Sequence, residues 1–219
     1  MRIKAFSLIE VLITMAVIGV IAVLVLPNVS RGTSKKTYAT QLNEVHRTLA
    51  QAINQVMLDE RETSLANTVM ADSIGDFMKK YLQIETDCGT EQHSQCIANS
   101  YKSLDGSSSV TQSHIISSNL YCVKTVPGAV ICMHEMTADN DGYHGSSQVI
   151  VDINGKKAPN TNGRDLFQFE IYSDGRISNG YEVTDYAANG EKCRDYAGTA
   201  GYGGSCFQRV KASGWNMDY

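Results

Sequence analysis

Hydrophobic and polar positions divide this chain into stretches with different periods. Residues 6–26, FSLIEVLITMAVIGVIAVLVL, are almost unbroken apolar sequence, 21 residues interrupted by one carboxylate, Glu10. At about 1.5 Å per residue such a helix spans roughly 30 Å, the thickness of a bilayer's hydrocarbon core. Pro27 closes the run. A proline removes a helical hydrogen bond and crowds the preceding turn, so a bend is expected between Gly19 and Pro27. From residue 33 to about 60 the period becomes helical and amphipathic. Tyr38, Leu42, Val45, Leu49, Ile53 and Val56 fall on one face, while Lys35, Lys36, Glu44, Arg47, Asp59 and Arg61 can face water. The helix therefore continues past the apolar run and buries this stripe against a soluble domain. A second, shorter helix is predicted from Asp72 as its N-cap, with Ile74, Phe77, Met78, Tyr81 and Leu82 on one side.

Further along, the period shortens to that of strands. Residues 86–118, rich in Ser, Thr, Gln, Asn and Gly, read as loop with little regular structure. Residues 120–126 and 129–136 flank Pro127-Gly128 and predict a hairpin. Two more strands are expected at 148–153 and 166–172, and Asp174-Gly175 turns into a short one around Ile177. Residues 181–219 are rich in Gly, Tyr and Asn and read as an irregular tail. The fold class is α+β, a long N-terminal helix on an antiparallel sheet of about four strands.

Charge and cysteines narrow the class. A net charge of −4 and a pI near 5.7 argue against a broad nucleic-acid-binding face. All six cysteines lie beyond the apolar run, and an even number there suggests disulfides formed in an oxidising compartment. Their spacings match no Cys-x-x-Cys zinc or redox pattern. Local pairing is expected: Cys88 with Cys96, Cys122 with Cys132, and Cys193 with Cys206. Each bridge would contribute about 2–4 kcal/mol. The middle pair raises a register problem. A two-residue turn at Pro127-Gly128 would set Val123, not Cys122, opposite Cys132, so the bridge requires an odd-length loop or a bulge.

Glu10 raises a different question, because an ionised carboxylate in hydrocarbon costs several kcal/mol unless it has a partner. Ahead of the run stands only MRIKA, basic through Arg2 and Lys4. A basic leader, then Ala5-Phe6, then S-L-I-E and a long apolar helix resembles the type IV pilin and type II secretion pseudopilin superfamily. The resemblance implies that prepilin peptidase cuts between Ala5 and Phe6 and methylates the new amino terminus. The family normally carries Gly before the cut; this chain carries Ala5, which is also small. It further implies that Glu10, fifth in the trimmed chain, pairs with the α-amine of Phe6 on a neighbouring subunit. Amine and carboxylate are both charged at neutral pH, so each desolvated charge would compensate the other.

The domain plan that follows is a leader at 1–5, a membrane and assembly helix at 6–27, its amphipathic continuation at 28–62, and a disulfide-containing pilin-like domain at 63–219. The implied precursor sits in a bacterial inner membrane with its C-terminal domain outside the cytoplasm. Basic residues flank the apolar run on both sides, so charge alone does not orient it. The mature form belongs to a surface or periplasmic filament. Its implied partners are copies of itself or other pilins, prepilin peptidase and an assembly platform. Two alternatives remain within the superfamily: a type II secretion pseudopilin, and a competence-pilus subunit for DNA uptake, which the acidic balance does not favour. An adhesin-like minor subunit is a further one, with Tyr196, Tyr202, Phe207, Trp215 and Tyr219 as a contact surface.

Little else suggests chemistry. The segment from Asp152 to Asp165 resembles a D-x-N-G…P-N…G-x-D-x-F pattern of pilin-like proteins. Asp152, Asn154 and Asp165 are candidate calcium ligands; the other reading is a long turn organised by Asx side chains and Gly. Lys156 at the fifth position and the lack of a closing Glu exclude an EF-hand. Asp139-Asn140-Asp141-Gly142 reads as a turn, and His46 as a rim residue beside the helical stripe. His93, His114, His134 and His144 are scattered without an H-E-x-x-H or nucleophile-elbow motif. No enzyme is expected, and no cofactor beyond the candidate calcium.

Overall fold

The computed structural model describes residues 8–116, 119–138, 145–179 and 204–219, with side chains throughout except at 21–33, 114 and 204–205. The chain divides into two compact units, Met1–Thr37 and Tyr38–Tyr219. Helix α1, Leu8–Glu60, contributes to both, and Gly19 and Pro27 lie within this single helical element. The predicted bend does not interrupt its helicity. In the first unit the described side chains at 8–20 are all exposed.

In the second unit α1 carries the expected stripe. Leu42, Leu49 and Val56 are fully buried, Val45 and Ile53 nearly so, and Tyr38 is half-buried. A turn of 3-10 helix at Leu65–Asn67 leads into α2, Val69–Asp72, and α3, Ile74–Tyr81. Asp72 is not the cap of the second helix. Thr68 caps a separate short turn that ends at Asp72, and Ser73 caps α3 by accepting the Asp76 N–H at 3.4 Å. Ser73 thus closes α2 with its backbone N–H, which donates to Val69 O, and opens α3 with its hydroxyl.

The main sheet has six antiparallel strands, two more than the four or so expected. They are β1 Ile84–Gly89, β4 Tyr121–Thr125, β5 Val130–Met133, β6 Ser146–Asp152, β7 Leu166–Tyr172 and β8 Ile177–Ser178, in the order β1-β4-β5-β6-β7-β8. The strand missed altogether is β1, an edge strand in which half-buried and exposed positions alternate up to buried Cys88, with two irregularities in its pairing with β4. The β4–β5 loop is odd in length. Thr125 faces Ala129 across Val126, Pro127 and Gly128, which brings Cys122 opposite Cys132.

Alternation along these strands feeds two cores. Val123, Ile131, Val151 and Phe167 lie in register across the sheet and pack against α1. On the opposite face Cys122, Val130, Cys132, Ile150 and Leu166 form a second core. Its cover is the stretch after β1 that composition marks as loop: α4 His93–Cys96, the ribbon of β2 Ser100–Lys102 with β3 Ser109–Thr111, and α5 Gln112–Ile115. Ile97, Tyr101, Ile116 and Leu120 from this layer are buried in it.

The irregular tail is also corrected where it is described. Residues 204–219 contain α6, Gly204–Ala212, whose Phe207 stacks on Phe169 of β7 at 4.2 Å. Residues 180–203 of that expected tail lie outside the described residues.

Candidate functional site

Glu10 lies in the first turn of α1, where the partial positive charge of a helix N-terminus favours a carboxylate. Around it the helix presents apolar side chains on every side: Leu8 is 81% exposed, Ile13 57%, Met15 66% and Ile18 65%. A helix apolar all round is one whose surface is covered by something outside it. Ala5 and Phe6, the expected processing site, lie outside the described residues. Among the described residues no helix is long and apolar enough to cross a membrane. Of the apolar run at 6–26, side chains are described only at 8–20.

Residues 1–26 match the family model for the prokaryotic N-terminal methylation motif. This amino terminus is a type IV prepilin-like motif. The match supports a type IV pilin-like or pseudopilin substrate of prepilin peptidase, and the α+β architecture of the second unit is consistent with a pilin-like fold. No curated protein and no solved structure matches the chain.

The second candidate, the loop between β6 and β7, is built on two buried carboxylates. Asp152 is fully buried at the end of β6; it accepts a hydrogen bond from the hydroxyl of Tyr101 and one from the Asn154 N–H at 3.2 Å. Burial, and then the charge of Asp165, push its carboxyl up to about 8, against the lowering effect of the Tyr101 hydrogen bond. Asp165, equally buried, accepts the N–H groups of Asn160, at 2.7 Å, and Thr161. Its carboxyl is raised by burial, and these donors oppose the rise. The loop is also fastened to β2: Lys102 N–H donates to Asn160 O at 2.8 Å, and Asn162 N–H donates to Lys102 O at 2.9 Å.

Asp152 and Asp165 thus sit near each other, but both hold donors of the protein itself. Asn154 Oδ1 and Asn160 Oδ1 are buried without a hydrogen-bond partner. Among the described residues no group of three or more His, Cys, Asp or Glu could hold a metal ion. The residue that sequence reasoning missed is Tyr101, 51 positions from the carboxylate it contacts and inside a stretch with no periodic signal.

The structure joins Cys88 to Cys96 and Cys122 to Cys132, with Cα separations of 6.2 and 4.0 Å. Both bridges lie in the core opposite α1. Cys206 is also disulfide-bonded, and Cys193 lies outside the described residues. The described histidines do not converge. His46 packs against Trp215, and His93 Nε2 lies 2.8 Å from Leu120 O. The His114 side chain, His144 and the turn at 139–142 lie outside the description.

Proposed function

We propose that the chain is a structural subunit of a type IV pilus-like filament. In this reading the precursor is held in the inner membrane by residues 6–26, cut between Ala5 and Phe6, and assembled through its apolar helix. The observation that carries the reading is the methylation-motif match over residues 1–26, with Glu10 inside it. The exposed apolar side chains around Glu10 support it physically. Helix-to-helix docking would cover that surface, and the α-amine of Phe6 on a neighbouring copy would compensate the carboxylate as hydrocarbon closes around it. Disulfides in the second unit suit a position outside the cytoplasm.

Mass spectrometry of the mature protein from its native cells tests this. The expected chain begins at a methylated Phe6 and is recovered with sheared surface filaments. Recovery of the processed chain only in the periplasm would replace the pilus by a secretion pseudopilus. A chain that still begins at Met1, or that begins beyond Pro27, would overturn the assignment.

A further inference from the structure

A cavity of about 420 Å³ opens beside α1 in the second unit. That is within the ~300–1,000 Å³ usual for small-ligand sites. One wall is the polar flank of α1: Gln41, Glu44, Thr48, Gln51 and Gln55, at helical spacings that keep them in one row. Gln83 and Tyr81 stand near the end of α3, and the β4–β5 turn contributes Pro127. Beneath the row the floor is apolar, formed by Val45, Ala52, Ile131 and Ile153.

This lining selects a kind of ligand. Among the described lining residues Glu44 is the one charged group, so nothing there would compensate a phosphate or carboxylate. A purely apolar ligand would take water from the row of amides, of which Gln55 has a protein partner in Asp59 Oδ1 at 2.7 Å. Amides donate and accept, as hydroxyls do. A row of amides above an apolar floor therefore fits a molecule with hydroxyls around its rim and C–H groups on its face. A peptide fits less well, because the β4–β5 turn has its backbone paired internally: Thr125 N–H to Ala129 O, and Gly128 N–H to Thr125 O, both at 2.8 Å. We propose that this cavity binds a neutral oligosaccharide, its hydroxyls on the glutamine row and its C–H face on the Ala52–Ile131–Ile153 floor. The site lies wholly in the second unit and is independent of processing before Phe6.

The test uses the full chain in a sugar-free detergent, with saturation-transfer NMR on the ligand protons. The probes are maltotetraose, cellotetraose and chitotetraose, with trigalacturonate as an anionic counterpart. At least one neutral sugar should receive saturation and bind about fivefold or more tightly than trigalacturonate, and Glu44→Gln should narrow that gap. The paired change Gln51→Ala and Gln55→Ala, at exposed helical positions that tolerate alanine, should weaken binding about tenfold. Asn54→Ala, exposed on α1 but outside the cavity, should leave it unchanged. Saturation of none of the neutral sugars overturns the proposal, as does a preference for the anion. Binding that the paired variant leaves intact also overturns it. If a neutral Gly-Ser peptide binds instead and the paired variant abolishes this, the cavity is a peptide site and the oligosaccharide is wrong.

Discussion

His46 packs beside Trp215 and Phe207, ring centroids 5.0 and 6.0 Å away, on the flank of α1. Burial first, and the charge of Lys211 second, push its imidazole down to about 4 from 6.5. The folded ring therefore stays neutral where the unfolded one takes up a proton. Stability should fall as pH drops from about 6.5 to about 4, by about 1–2 kcal/mol once solvent screening of a half-buried ring is allowed for. Denaturant titrations across that window should show the loss, and His46→Phe, which cannot ionise, should remove it. A slope equal in both proteins would mean that other groups carry it. Gly163 is held by both its backbone and its neighbour. Its φ is +77°, and an added Cβ would lie 2.7 Å from Cys206 Sγ; Gly106 has nearly the same φ, +76°, with open space around it. Gly106→Ala should cost about 1 kcal/mol for backbone strain alone, and Gly163→Ala about 2–4 kcal/mol. Equal costs would show that the contact relaxes without penalty.

Among elements, the layer built from α4, β2, β3 and α5 is tied to the sheet by the Cys88–Cys96 bridge, by a shared core and by the buried hydroxyl of Tyr101. This hydroxyl donates to Asp152 and accepts the Ala98 N–H at 3.2 Å. Tyr101→Phe keeps the ring but leaves a buried carboxyl and a buried N–H each short of a partner. The expected loss is about 1–3 kcal/mol, seen as a lower denaturant midpoint at unchanged m-value. An unchanged midpoint would show that water replaces the hydroxyl. We assign the loop between β6 and β7 a clamping role. Calcium at about 5 mM, above the ~1 mM Kd of weak extracellular modules, should leave Tm unchanged, and a rise would establish a cation site. How much of this the sequence discloses depends on periodicity. The stripe from Leu42 to Val56 repeats along a helix, and β7 has the expected bounds at Leu166–Tyr172. The covering layer escapes detection because its buried residues, Cys96, Ile97 and Ala98 together and then Tyr101 and Ile116, follow neither a helical nor a strand period. Its trace lies in the sheet. Every residue of β5 (VICM) is buried, and so is the VIVD end of β6, as expected of strands covered on both faces. The cavity beside α1 has no such trace, because separate stretches of chain supply its walls.

At the scale of the whole molecule, the two units handle apolar surface in opposite ways. The second buries it, with Leu42, Leu49 and Val56 at 0% exposure, whereas the first exposes Leu8 at 81% and Met15 at 66%. A bilayer could cover the first unit, but it would oppose Glu10 by up to about 2.5–3.5 kcal/mol, the insertion-scale cost of a charge at a helix centre, so lipid alone gives no reason for the carboxylate. A neighbouring copy with a free α-amine does. Glu10→Ala should therefore insert at least as well as the unaltered chain and fail to form filaments, read by comparing membrane and sheared fractions. The second unit's stability should change by less than about 0.5 kcal/mol, since the substitution lies in the other unit. In the proposed pairing carboxylate and amine reside on different copies, so a Glu10→Ala chain would still offer its amine to an unaltered neighbour but could not receive one. It would join a filament and then impair the next addition, so filaments should shorten as the variant share rises. Variant chains that enter in proportion to their abundance, with filament length unchanged, would show that the charge pairing is not what drives assembly.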